Sequence, residues 1–389
     1  MGIMNSVRLG IVGMGNMGSG HAEKIVSGKI NRCELTAVCD PAQEKFDRYP
    51  KAMGFTRSEE LIRSGAVDAV LIATPHYDHT TIGIDTLQRG LHLLVEKPIS
   101  VHKADCERLI AAHQRPQQVF AAMFNQRTDP YYLKVRDLIR SGALGRIRRI
   151  SWIITNWFRT EAYYKLGNWR ATWAGEGGGV LLNQCPHNLD LFQWFFGMPQ
   201  RVRGFCAIGR YHDIEVEDDV SAYFEYADGT TATFITSTGE APGTNRLEVA
   251  AENGKLVFEN DALVFTRNEV PMTEFSRTAT KAFATPPTSE SKFTFPDHGG
   301  QHVEVLQNFV DAILDGAPLI APAAEGIHSV ELANAILFSA ARNQPVDLPL
   351  DAAAYERYLR EKFPTSRFKK KGPRTPGKLA DDLANSYNR

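Results

Sequence analysis

The stretch "VRLGIVGMGNMGSGHAEKIVSG" sets the first constraint on the fold. An apolar run of strand length leads into Gly13, Gly15 and Gly18 in G-x-G-x-x-G spacing, and a helical pattern follows. The spacing alone is weak, because glycines cluster in many turns. A strand before it and a helix after it make it a dinucleotide-binding turn. Gly13 permits the tight turn, Gly15 lets the backbone approach a pyrophosphate, and Gly18 allows the helix to pack closely on the strand. Asn16 and Met17 open that helix, whose free N–H groups and dipole favour a bound phosphate.

Such a turn belongs to a parallel, doubly wound sheet. "CELTAVCD", "DAVLIATP", "LHLLVEKP" and "VFAAMFNQR" are further strand-length apolar runs, with helical patterns such as "HTTIGIDTLQRG" and "KADCERLIAAHQ" between them. Strands that alternate with helices and read as continuous apolar runs are buried on both faces. Asp40 ends the second strand about 20 residues past the glycines, where a carboxylate accepts from the ribose hydroxyls of NAD. Pro41 and Ala42 add no cation for a 2′-phosphate, so NAD is expected over NADP. The alternative, that Asp40 only caps the next helix, stays open.

The character changes after Arg127. From Ile147 to Arg267 the chain reads mainly as antiparallel strands, with Asp-Gly and Asn-Gly hairpin signals in "EYADGTTATF" and "AAENGKLVFEN". One helix, within "GGGVLLNQCPHNLDLFQW", interrupts this region. "EVLQNFVDAILDG" and "EGIHSVELANAILFSAARN" are amphipathic helices expected to pack back on the first domain, and "FATPPTSESKFTFPDHGG" reads as a long loop. At 389 residues two domains are natural. The expected division is 1–127, a Rossmann domain, 128–363, a substrate and oligomerisation domain on an open, mainly antiparallel sheet, and 364–389, a basic tail packing on a neighbouring subunit.

Composition narrows the function classes. A formal net charge of −1 gives no argument for nucleic acid or an anionic membrane. No apolar run approaches the roughly 18 residues that span a bilayer. Five scattered cysteines lack both disulfide pattern and metal-ligand spacing, which points to reduced thiols, a cytoplasmic compartment and no metal site.

"GMGNMG", "ATPHYDH", "VEKP" and the Gly-rich helix opening occur in an order that resembles the Gfo/Idh/MocA oxidoreductases, sugar and inositol dehydrogenases with a Rossmann domain and a C-terminal α/β domain. The resemblance runs to about Phe363. It implies that Glu96, Lys97 and Pro98 lie beside the nicotinamide, with Lys97 stabilising the oxygen of the reacting hydroxyl. It also implies cofactor contacts at Thr74, Pro75, His79, Asn125, Arg127, Trp169 and Arg170.

Asn183 and His187, four residues apart, are expected to share one helix face and point together into the cleft. In many family members the pair is Asp and His. The resemblance therefore makes His187 the proton carrier, with Asn183 a neutral partner that cannot raise its pKa as a carboxylate would. Pro186 must then lie in a first turn or a kink. Ahead of this helix, Trp152, Trp157, Phe158, Tyr163, Tyr164, Trp169 and Trp173 mix with Arg159, Lys165 and Arg170. Aromatic faces suit sugar rings, and Arg159 and Lys165 suit an acidic substituent; ordinary strand packing accounts for about half of these aromatics.

The leading expectation is an NAD-dependent oxidoreductase acting on a secondary hydroxyl of a sugar or cyclitol, working as a homodimer or homotetramer. A redox-cycling glycoside hydrolase uses the same machinery. A non-catalytic NAD-binding regulator is the third reading, against which Lys97 and His187 weigh.

Overall fold

The computed structural model describes residues 5–368. The first sheet contains β1 (Val7–Val12), β2 (Cys33–Cys39), β3 (Met53–Phe55), β4 (Ala69–Ile72), β5 (His92–Val95) and β6 (Phe120–Ala122). All pairings are parallel in the order β3-β2-β1-β4-β5-β6. Four of the strands were legible as apolar runs besides β1. The edge strand β3 was not, since three residues that are mostly exposed leave no apolar signal.

Helices α1 (Asn16–Val26), α2 (Ser58–Arg63), α3 (His76–Gln88) and α4 (Lys103–Ala111) connect these strands. On one face of the sheet lie Leu61, Ile62, Leu87, Cys106 and Leu109 from α2, α3 and α4. On the other lie Ala22 and Ile25 of α1. Burial on both faces explains the apolar runs, which exposed residues break only near the strand starts, at Arg8 and Glu34.

Helix α5 (Pro130–Arg140) starts on an Asp129 cap that accepts the Tyr131 N–H at 2.9 Å. The second sheet follows: β7 (Ile147–Ile154), β8 (Arg201–Ile208), β9 (Glu217–Glu225), β10 (Thr231–Ser237), β11 (Asn245–Ala251), β12 (Gly254–Glu259), β13 (Ala262–Asn268), β14 (Thr288–Phe293) and β15 (Val346–Asp347). Its order is β14-β13-β12-β11-β7-β10-β9-β8-β15. Every neighbouring pair is antiparallel except β7 with β10. Both hairpins expected from Asp-Gly and Asn-Gly form, joining β9 to β10 and β11 to β12.

The remaining helices are α6 (Glu161–Tyr164), α7 (Pro186–Phe196), α8 (Met272–Thr278), α9 (Gln301–Asp315), α10 (Gly326–Arg342) and α11 (Ala352–Lys362). The segment taken as a long loop contains the strand β14, which pairs with β13. Its residues T-S-E-S-K-F are almost all exposed, and a polar edge strand has no apolar alternation to betray it.

Helix α9 does return to the first domain, where Val305, Leu306, Phe309 and Val310 pack with Leu9 and Ile11. Helix α10 packs on both domains. Val330 reaches the first core, and Glu331 and Asn334 bond Lys103 of α4 at 2.8 and 3.0 Å, while Leu332, Ala333, Ile336 and Leu337 join the core of the second sheet. Gly204 of β8 makes the second contact a close one. A Cβ there would lie 2.2 Å from the Ile336 carbonyl oxygen, so α10 and β8 touch backbone to backbone. Ser366 and Arg367, at the start of the basic tail, fold against Glu215 of their own chain. The tail beyond Phe368 lies outside the described residues.

Candidate active site

The residues singled out in the first domain all leave the carboxyl ends of parallel strands, the crevice where ligands bind in such sheets. Gly13 follows β1 with φ +94°, and a Cβ on it would meet the Ala73 carbonyl oxygen at 2.6 Å. On Gly18 a Cβ would lie 1.8 Å from the Gly13 carbonyl oxygen. At Gly15 nothing stands within 4 Å, and no side chain caps α1 at Asn16 and Met17. Open space before an uncapped helix N-terminus fits a dinucleotide pyrophosphate.

Asp40 corrects one step of the sequence reasoning. Its carboxylate accepts the Met14 N–H at 2.9 Å and the Ala42 N–H at 3.0 Å, and pairs with Lys45 at 2.7 Å. A cation does therefore stand beside Asp40. It comes from a 3₁₀ turn over Gln43–Lys45, beyond the two residues that the sequence argument weighed.

Beyond β4, Thr74 Oγ1 is buried without a hydrogen-bond partner among the described residues, and Pro75 precedes α3. The His79 ring braces this turn, with Nε2 2.9 Å from the Thr74 carbonyl and Nδ1 2.8 Å from that of Pro98. Beyond β6, Asn125 donates to Gln301 at 2.6 Å while its own oxygen is buried and unpartnered. Orphaned buried polar atoms are rare. Two on the rim of one crevice suit a polar ligand such as the nicotinamide end of NAD.

Beyond β5, Glu96 Oε1 bonds His21 Nε2 at 2.7 Å. Burial pushes this carboxyl up, but the His21 hydrogen bond and charge outweigh it and hold the pKa at about 2. Lys97 Nζ donates to the Asn183 backbone carbonyl at 2.9 Å. Burial lowers the Lys97 pKa; Glu96 and Glu176 oppose that, and Arg170 and Arg159 reinforce it.

Asn183 and His187 do not share a helix. Helix α7 begins at Pro186, which occupies its first turn and so costs no hydrogen bond, and Asn183 sits in the turn before it. The side-chain oxygen of Asn183 accepts from Tyr163 and Gln184, each at 3.1 Å, and its amide donates to Glu176. His187 is 8% exposed, with Nδ1 unpartnered among the described residues and its ring edge-on to Phe124 at 6.2 Å. Burial first, then Lys97 and His302, push its pKa well below the ordinary value of 6.5. A neutral imidazole able to take a proton results.

Arg127 is the clearest misplacement. Sequence reasoning set it at the nicotinamide edge, but it is 1% exposed and its donors are committed to protein. It grips Asp190 of α7 through two bonds of 2.7 Å, and also bonds Glu325 at 2.6 Å and the Ile320 carbonyl at 3.3 Å. It clamps the end of the first sheet to α7.

The aromatic wall divides. Trp152 is fully buried and stacks on Phe192 and Phe195, so it belongs to the core. Arg170 lies 4.6 Å from the Trp169 ring and 4.9 Å from that of Tyr163, whose hydroxyl it also bonds at 3.0 Å. Trp169 in turn meets His76 edge-on at 5.5 Å. Arg159 covers Trp157 and Tyr163, at 5.6 and 5.1 Å, and Trp157 reaches Asn188 at 3.4 Å. Lys165 is exposed just past α6 and stays out of this cluster.

Sequence reasoning missed Glu176, Gln184, Lys45, His21 and His302. Glu176 had one available signal, as the single carboxylate between Trp169 and Asn183. The histidines had none. His302 opens α9 and faces His21 at 5.7 Å, with burial pushing its pKa down to about 4.

Glu217 of β9 holds the glycine run in place, accepting the Gly179 and Leu181 N–H groups at 2.8 and 3.1 Å through one oxygen. Its other oxygen is buried without a partner among the described residues, and burial raises its pKa from 4.5 to about 7. The folded protein thus keeps this proton up to about pH 7, whereas the unfolded chain releases it near 4.5. Stability falls as pH rises through that window. Glu217→Gln retains the accepting oxygen and should flatten this dependence, raising the melting temperature at pH 8 by a few °C, on the order expected for 1–2 kcal/mol. An unchanged pH profile of melting would contradict the assignment.

Fold and crevice together define a two-domain protein with a dinucleotide-binding Rossmann domain. Residues 7–124 match the model for an oxidoreductase family with an NAD-binding Rossmann fold, and residues 132–257 match the GFO/IDH/MocA C-terminal domain. The chain belongs to the GFO/IDH/MocA family. It is 28% identical over 197 residues to an inositol 2-dehydrogenase of Corynebacterium glutamicum, a match covering 49% of this chain and 55% of that one. It is 29% identical over 194 residues to an alpha-N-acetylgalactosaminidase of Shewanella oneidensis, covering 46% and 42%. The chain thus spans about half the length of the curated relatives it matches. A WlbA dehydrogenase from Bordetella pertussis, solved with NADH and UDP-GlcNAcA, shares the fold with a TM-score of 0.74 at 24% identity, over 89% of this chain and 100% of that one.

Proposed function

We propose that this protein is an NAD-dependent oxidoreductase acting on a secondary hydroxyl of a sugar, sugar derivative or cyclitol. One observation carries the reading: Lys97 is aimed by the Asn183 carbonyl in the same crevice as a neutral, buried His187 with an unpartnered nitrogen. His187 accepts the hydroxyl proton. Lys97, a fixed cation in a poorly solvated site, stabilises the oxygen as its negative charge develops. Trp157, Tyr163 and Arg159 bound the sugar side. Asn16, Met17, Asp40, Thr74, Pro75, His79, Glu96, Asn125, Trp169 and Arg170 face or brace the cofactor side. When bound there, NAD supplies the hydride acceptor.

The test is a screen of free sugars, sugar acids, cyclitols and aryl glycosides with NAD, following both NADH absorbance and aglycone release. Stoichiometric NADH from a polyol or sugar supports the reading. The similarity to the Shewanella alpha-N-acetylgalactosaminidase favours one alternative, glycoside cleavage through transient oxidation and re-reduction. Aglycone release with NAD required but no NADH accumulating selects that alternative. NAD binding without turnover of any of these would sink both.

The same reading places the protein in the cytoplasm, in line with five free cysteines among the described residues. It also makes the protein a homodimer or homotetramer. Phe205 and Tyr223 stand 57% and 39% exposed on β8 and β9, on the side of the second sheet away from its core. Light scattering should therefore show at least twice the chain mass, and a monomer would contradict this.

A further inference from the structure

The function proposed for Lys97 leaves open what keeps a buried lysine charged and aimed. Glu96 and His76 of the first domain face it, together with Arg159, Arg170, Glu176, Cys185, His187 and His302. The two arginines and the burial all act against a charge on Lys97. Glu96 and Glu176 are the acidic groups in this set. Glu96 Oε1 is engaged by His21, and its other oxygen accepts the Lys97 backbone N–H at 3.2 Å.

Glu176 is built differently. It is 2% exposed, and Oε2 accepts the Ala171 N–H at 2.6 Å while Oε1 accepts the Asn183 side-chain amide. Both oxygens accept, the bonding pattern of an ionised carboxylate. Burial raises the pKa of this carboxyl above its ordinary value, and Arg170, the Ala171 N–H, the Asn183 amide and Lys97 offset only part of that rise. Asn183 is fixed from the far side as well, because Tyr163 and Gln184 both donate to its side-chain oxygen. Only its NH₂ is left for Glu176, and its backbone carbonyl receives Lys97. A continuous chain of hydrogen bonds thus runs from the Glu176 carboxylate, through one asparagine, to the ammonium.

We propose that Glu176 is the positioning residue for Lys97: it pins Asn183, whose carbonyl aims the ammonium, and it supplies the buried negative charge that keeps the ammonium protonated. The proposal rests on the function given above only for its effect on turnover. Asn183 is then a relay for a carboxylate seven residues upstream, which explains how a neutral side chain can occupy this position in a working site.

Exchanging the two side chains tests this directly. In the double variant Glu176→Gln/Asn183→Asp, amide and carboxylate trade places. Tyr163 and Gln184 still donate to the side chain at 183, and the Ala171 N–H still finds an oxygen at 176. Only the position of the charge moves. Proton affinity of Lys97 is read in the cofactor-free protein from the pH dependence of its labelling by acetic anhydride, followed by peptide mass spectrometry. Glu176→Gln should lower the labelling midpoint by about one pH unit or more. The exchanged pair should return it to within about half a unit of wild type. Asn183→Asp alone adds a second carboxylate and should raise it, which keeps the test available if Glu176→Gln does not fold. In turnover, Glu176→Gln should lower kcat about tenfold or more with KM nearly unchanged, and the exchanged pair should recover most of that.

A wild-type midpoint in folded Glu176→Gln, an unmoved or lowered midpoint in Asn183→Asp, or an exchanged pair no better than Glu176→Gln at equal melting temperature each overturns the proposal. Shifted midpoints in a protein that oxidises no sugar would sink the proposed function and leave the Glu176–Lys97 coupling standing. Flat midpoints with turnover intact would sink the coupling alone.

Discussion

Replacing Lys97 with Met is expected to reduce kcat/KM by about 10²–10³-fold, the loss seen when one preorganised donor to a developing oxyanion is removed. Methionine keeps most of the unbranched apolar stem but carries neither the charge nor the N–H that bonds Asn183. The affinity for NAD, measured by fluorescence titration, should stay within about threefold, because the glycine cradle and Asp40 are untouched. A variant retaining wild-type turnover would remove Lys97 from the mechanism.

The pH profile of the wild type supplies an independent check. His187 must be neutral to accept a proton, and its pKa is pushed well below 6.5, so the acid limb should fall below that value. Lys97 must stay charged, and burial lowers its pKa from 10.5, so the basic limb should appear below the ordinary lysine range. An acid limb above pH 7 would mean that something other than His187 takes the proton.

The largest stability effect is expected at Arg127. Arg127→Met leaves Asp190, which is fully buried, without its cation. Stranding one member of a buried pair costs about 3–5 kcal/mol, whereas replacing both by apolar groups is often near neutral. Arg127→Met should therefore depress the thermal midpoint by several degrees, and Arg127→Met/Asp190→Leu should recover much of the loss. The recovery matters because Arg127 also bonds Glu325 and Ile320, which the double variant does not repair. If Arg127→Met melts with the wild type and loses only cofactor affinity, the nicotinamide-edge role would return.

Legibility in the sequence followed burial and range. Strands β1, β2, β4 and β5 were readable because most of their residues are apolar and their carboxyl ends are buried on both faces, with polar residues such as Arg8 and Glu34 confined to their first halves. Strand β14 was hidden because an exposed edge strand needs no apolar residues at all. The Asn183–His187 pairing failed for a local reason. A spacing of four implies a shared face only inside a helix, and the helix begins at Pro186, after Asn183. The proline that looked like an obstacle was in fact the boundary marker.

Local chemistry by itself therefore determined the dinucleotide turn and the Rossmann sheet, and the family resemblance singled out Lys97 and His187. The turn and the sheet depend on residues close together in the chain, or on a periodic pattern that burial enforces. Tertiary structure decided the rest: that Arg127 is a clamp, that Lys45 meets Asp40, and that Glu176 stands behind Asn183. These pairings hold because a charge taken out of water must find its counter-charge wherever the packed chain brings one. No short stretch of sequence records which one that will be.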